Sequence, residues 1–164
     1  MMRALGVRAH PKSLSVITHV INVEVTSRQS AMMIDSSLIE KAAKLVLRGE
    51  HVQSADLSIA IVDDQMIQQL NRQYLQHDYP TDVLSFPLDR QATCVEGEII
   101  ASAQTAIRES PQYGWSAEKE LLLYVVHGAL HLLGYDDQSD DQSQMMRAKE
   151  REYLAQIFDP APGP

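Results

Sequence analysis

Cysteine is almost absent: Cys94 is the single one in the chain. An intrachain disulfide is therefore excluded, and so are zinc sites built from several thiolates. One unpaired thiol suits a reducing cytoplasm, where Cys94 is expected to behave as a small buried or half-buried hydrophobe. Long apolar runs are missing too. No stretch approaches the ~18 apolar residues of a membrane-spanning helix, so no membrane partner is expected. The N-terminal segment carries some basic charge but no continuous apolar region of the kind a signal peptide needs. Positive charge is short as well. Fourteen Lys and Arg stand against 22 Asp and Glu, a formal net charge of −8. Nucleic-acid binders usually show a basic surplus. RNA recognition would have to rest on a local basic face and work against overall repulsion, and DNA is not an expected partner.

What is present fits one domain. A chain of 164 residues with 45% apolar content can bury a sizeable core but leaves little for a second domain. No internal repeat or linker divides it. Residues 1–13 read as a loose leader, 14–158 as a single domain and 159–164 as a disordered tail.

The stretch HGALHLLGYDD, His127 to Asp137, carries the chemistry. Two histidines four residues apart lie about one helical turn from each other, so they share a face. Gly134 can take the left-handed conformation that ends a helix. The chain can then turn back, and Asp137 can approach an ion held by the two imidazoles. Two imidazoles and a carboxylate with an open fourth position make a catalytic type of zinc site. The plainer alternative is two histidines that finish an amphipathic helix and find backbone partners. The preceding LLLYVV is apolar nearly all round, however, and buried imidazoles without a role are costly. The spacing of His, His, Gly and a third ligand is also that of the extended zinc-protease signature HExxHxxGxxH. Gly128 stands where that signature has its general base, which disfavours peptide hydrolysis by that route.

Along the chain, alternating apolar residues predict a strand over Ser15 to Thr26. Ser37 and Glu40 read as a capping box opening a helix that Gly49 ends, with Leu38, Ala42, Leu45 and Val46 inward. Lys41, Lys44 and Arg48 share its outer face, as a solvated face or as a phosphate-contacting strip. A second strand covers Leu57 to Val62. Asp63 caps a helix bearing Met66, Ile67, Leu70 and Tyr74 and ending near Gln76. A strand over 81–88 has Pro87 as an edge or break, a loop fills 89–94, and Val95 to Ser102 is a fourth strand. A helix from about Ser102 breaks at Pro111. Ser116 caps a long buried helix through both histidines to Leu133. Ser139 and Gln142 box the last helix, with Met145, Met146, Tyr153, Leu154 and Ile157 inward and Arg147, Lys149 and Arg151 outward. The expected fold class is α+β: roughly four strands packed with helices, the metal site at the end of a buried helix.

Three segments in this order carry a resemblance. LNRQYLQHDYPTDVLSFPL (Leu70 to Leu88), GEIIAS (Gly97 to Ser102) and HGALHLLGYDD together resemble the YbeY family, over about Ile21 to Phe158. The family comprises bacterial metal-dependent endoribonucleases, also called ribosomal RNA maturation factors. The resemblance implies one zinc ion at the positions of His127, His131 and Asp137, at the bottom of a groove in an α+β fold. It implies cleavage of single-stranded RNA, maturation of the 3′ end of the small-subunit ribosomal RNA, and ribosome quality control. The implied partners are ribosomal RNA and the ribosome or its small subunit, in the cytoplasm.

Two positions depart from the family pattern. Asp137 replaces the usual last histidine; a carboxylate is an acceptable ligand but makes the metal a weaker Lewis acid. Asp136 matches the aspartate before that ligand and is expected to orient the ligands or shape the loop. Leu75 stands where the family has an arginine after the tyrosine of LNxxYR, and it cannot contact a phosphate. Arg72, one turn earlier, is the candidate replacement. Two other functions stay open at this level: a zinc hydrolase of peptide or amide bonds, and a non-catalytic ribosome-associated metal-binding module.

Overall fold

Alternation builds the sheet. In the computed structural model, which describes residues 19–159, Leu57, Ile59 and Ile61 of one strand face one side and Val62 begins the other. The strands are β1 (Ile21–Arg28), β2 (Ser54–Val62), β3 (Val83–Gln91) and β4 (Cys94–Ser102), and the helices are α1 (Ser36–Gly49), α2 (Asp64–Leu75), α3 (Ala103–Tyr113), α4 (Ala117–Leu132) and α5 (Asp140–Phe158). The single α+β domain has the element order expected from the sequence. Its sheet runs β1-β2-β4-β3, with β1, β2 and β4 parallel and β3 antiparallel at one edge.

The two faces of the sheet are unequal. The larger core packs α1, α3, α4 and α5 on one face, through residues such as Ile59, Ile99, Val46, Leu121 and Leu130. The smaller one joins Ile67 of α2 to Val62, Leu84 and Ile100 on the other. Adjacent Ile99 and Ile100 enter opposite cores, as a pleated strand requires. Helix α4 is apolar nearly all round because it lies against α1, α3, α5 and two strands. It is the element that sets the height of the histidines above the sheet.

Several boundaries differ from expectation, each for a local reason. The first strand continues to Arg28, whose partner in the parallel ladder is Val62. Helix α1 is capped by Asp35, not Ser37: the Asp35 carboxylate accepts from the Ser37 and Leu38 amides and from the Ser37 hydroxyl. Glu40 is engaged by Lys44 at 2.5 Å instead of returning to the cap. The expected loop at 89–94 is mostly hairpin. β3 runs on to Gln91 opposite Cys94, after an irregularity between Pro87 and Asp89 that absorbs the proline at the sheet edge. Cys94 is exposed and accepts from the Ser54 hydroxyl at 2.9 Å.

Pro111 does not break α3, which runs on to Tyr113. The Ser110 hydroxyl donates to the Ile107 carbonyl that the proline leaves without its usual partner. The capping box of Ser139 and Gln142 is formed, but Met145 points outward at 60% exposure. No helix among the described residues is long and apolar enough to cross a membrane. The expected leader over 1–13, residues 15–18 of the first expected strand and all of the expected tail except Asp159 lie outside the described residues.

Candidate metal centre

The end of α4 delivers three ligand groups to one place. His127 and His131 sit one turn apart, with ring centroids 4.5 Å apart and planes at 78°. The helix then stops as Gly134 enters the left-handed region at φ 94°. The Gly134 amide donates to the His131 carbonyl and the Tyr135 amide to the Leu130 carbonyl, which closes the helix end and reverses the chain. Asp137 returns beside the histidines. Its carboxylate lies 3.6 Å from His127 Nε2 and 3.8 Å from His131 Nε2. These separations are too long for hydrogen bonds. One donor atom from each residue lies within 4.8 Å of the other two, so the group could hold a metal ion. A nitrogen, nitrogen, oxygen set is suited to zinc and to neighbouring divalent transition metals.

Two neighbours hold the third candidate ligand. The Asp136 carboxylate accepts from the Asp137 amide at 2.8 Å, and the Ser143 hydroxyl donates to the Asp137 carbonyl at 2.8 Å. Asp136 thus shapes the turn.

Sequence spacing offered no hint of Glu150. This residue of α5 pairs its carboxylate with His127 Nδ1 at 2.5 Å, and both side chains are largely buried. The contact fixes the ring so that Nε2 faces Asp137 and His131. Burial alone would depress the His127 pKa; the hydrogen bond and charge of Glu150 outweigh it and raise the pKa. A carboxylate behind a histidine is the arrangement that orients imidazole ligands and raises their basicity.

A further carboxylate braces the whole assembly. Glu50, just beyond α1, accepts from Tyr135 at 2.7 Å, Lys149 at 2.8 Å and Tyr153 at 2.5 Å. The turn that carries Asp137 and the helix that carries Glu150 are therefore tied to one group. Burial pushes the Glu50 carboxyl up, but the bonds from Lys149 and the two tyrosines prevail and hold it below its ordinary value.

Gly128 is explained by packing. A Cβ there would come within 2.9 Å of Ile99 and 3.1 Å of the Ser85 hydroxyl. The position therefore faces β3 and β4, the two strands under α4. A glutamate there would be driven into the sheet, so this backbone has no room for the protease base.

His127, Asp137 and Glu150 line a cleft of about 640 Å³ between the ends of α3 and α4 and the length of α5. Lys119, Arg147 and Arg151 line it too. The expectation that Arg147, Lys149 and Arg151 all point outward together is corrected. Residues 147 and 151 are four apart and share a face, whereas 149 is rotated by about half a turn and reaches Glu50 instead. Arg72 lies elsewhere. It is exposed, 3.7 Å from Asp78, and does not line the cleft. Leu75 is half exposed. The basic strip of α1 does not line the cleft either, and its Lys44 is held by Glu40.

Comparison with known proteins identifies the family. The family described as Endoribonuclease YbeY matches residues 22–158. An Endoribonuclease YbeY of Chloroherpeton thalassium is 42% identical over 120 residues, covering 73% of this chain and 84% of its own. One of Carboxydothermus hydrogenoformans is 40% identical over 138 residues, covering 82% and 96%. The solution structure of TM1509 from Thermotoga maritima superposes with a TM-score of 0.60 at 28% identity, over 87% of this chain and 99% of that one. The chain belongs to the endoribonuclease YbeY family.

Proposed function

We propose that the protein is a zinc-dependent endoribonuclease that hydrolyses phosphodiester bonds of single-stranded RNA, with His127, His131 and Asp137 as the metal ligands. The observation that carries this reading is the convergence of His127, His131 and Asp137, with His127 oriented by Glu150, beside a cleft that His127 and Asp137 line together with three cationic side chains. A divalent metal bound there would supply Lewis-acid polarisation of a phosphate oxygen and a lowered pKa for bound water. The protein's own groups do the rest. Glu150 keeps His127 in one orientation, with Nε2 free for the metal. The turn held by Asp136 and Ser143 presents the Asp137 carboxylate. Arg147 and Arg151 offer planar donors suited to phosphate oxygens. They supply the positive charge that Leu75 cannot, whereas Arg72 lies 3.7 Å from Asp78 and does not line the cleft.

The biological setting follows from the same reading: maturation of the 3′ end of small-subunit ribosomal RNA and ribosome quality control, on the ribosome or its small subunit in the cytoplasm. Wild type and His131→Ala, purified identically, are compared for cleavage of a labelled single-stranded RNA. Loss of cleavage in the variant is the expected result. Equal cleavage by both would identify a contaminating nuclease and remove the assignment.

A further inference from the structure

The cleft extends from His127 to the turn between α3 and α4, where two aromatic rings stand ready. Tyr113 closes α3 and Trp115 lies just before α4, with Gly114 between them in the left-handed region at φ 68°. That backbone, open to glycine, makes the sharp turn that brings the two rings together. They stack at 5.3 Å between centroids and 29° between planes. The stack is held from below. The Trp115 indole N–H donates to the buried Glu120 carboxylate at 2.6 Å, and Lys119 Nζ sits 4.8 Å over the indole ring. Tyr113 nevertheless remains 60% exposed. On the α5 wall, Arg147 and Arg151 form no ion pair among the described residues. The cleft therefore joins an exposed aromatic ring to two guanidinium groups that make no ion pair among the described residues.

This combination matches the chemistry of a nucleic-acid strand. Every base has a π-face, and successive phosphates lie within reach of cations that flank the stacked base. We propose that Tyr113 and Trp115 form a stacking platform for one unpaired base of the RNA, whose phosphates pass Arg147 and Arg151 toward the metal centre. The inference rests on the endoribonuclease reading and deepens it. A base inside a duplex has both faces covered, so the platform accepts only an unpaired one. Preference for single strands is then a property of this turn.

Trp115 is the only tryptophan in the chain, so its fluorescence reports on the platform directly. The full-length protein is titrated with a short 2′-O-methyl oligouridine, which keeps bases and phosphates, and with an abasic strand of equal length. Quenching by the first and weaker binding of the second are expected. Tyr113→Ala, a change at an exposed ring, should weaken oligouridine binding by roughly 5- to 100-fold. Arg147→Ala should lower the salt dependence of binding by about one phosphate contact. Equal binding of the abasic strand, or unchanged affinity in Tyr113→Ala, overturns the platform even if the protein cleaves RNA. Quenching by oligouridine without any RNA cleavage keeps the platform and defeats the nuclease reading instead.

Discussion

Removal of the carboxylate behind His127 is the most direct test of how the centre is built. Glu150 meets His127 Nδ1 at 2.5 Å, and the two side chains are 14% and 22% exposed. A charge-assisted bond in such a setting is stronger than a neutral one. Partners of this kind typically contribute about 10- to 100-fold to metal affinity, which corresponds to about 1.4–2.7 kcal/mol. Glu150→Ala removes both the acceptor and the charge, so zinc affinity should fall by that factor. Glu150→Gln keeps an acceptor oxygen and loses only the charge, so it should fall between wild type and the alanine variant. The assay is competition for zinc with a chromophoric chelator, on metal-free proteins whose folding is first matched by circular dichroism. If folded Glu150→Ala bound zinc within about twofold of wild type, far from the expected loss, the orienting role would be refuted. His127 would then be held by helix packing alone.

Four other outcomes follow from the same geometry. Gly128→Ala should destabilise the protein by about 1–3 kcal/mol in urea unfolding, because its Cβ would press on Ile99 and Ser85 beneath α4; unchanged stability would mean that α4 can lift from the sheet at no cost. Glu50→Ala should cost about 2 kcal/mol or more, since Tyr135, Tyr153 and Lys149 lose their shared acceptor, and the same unfolding experiment measures it. The Glu50 contribution also depends on pH: its folded carboxyl titrates below the ordinary 4.5, so the stability is complete above pH 4.5 and is lost as pH falls through the lower folded value. A wild-type advantage over Glu50→Ala that grew on acidification would contradict this assignment. Gly134→Ala should weaken zinc binding as well as stability, because φ 94° is strained for alanine and the new methyl would meet Arg90 at the turn that places Asp137; zinc affinity equal to wild type would show that the turn adapts.

The sequence by itself determined the elements and the candidate ligand group. Periodicity, caps and turn residues act over a few positions, so β2, β4, α4 and the order of all nine elements among the described residues were legible in the chain. His127, His131, Gly134 and Asp137 are legible for the same reason. One helical turn and one chain reversal, both local, are enough to bring them together. The cap of α1 was misplaced by two residues: the Ser37 and Glu40 pattern pointed to Ser37, whereas Asp35 accepts from the first amides of the helix.

Tertiary structure decided what depends on distant partners. Glu150 reaches His127 only because α5 packs across α4, 23 residues later. Glu50 joins Tyr135, Lys149 and Tyr153 across separations of 85 to 103 residues. The basic strip most visible in the sequence, on α1, lies away from the cleft, while two arginines counted as outward line it. Helical periodicity assigns residues to a face, but only the packed neighbours decide whether that face meets solvent, core or a cleft. The candidate ligands are therefore local in sequence, and most of the groups that orient and surround them are not.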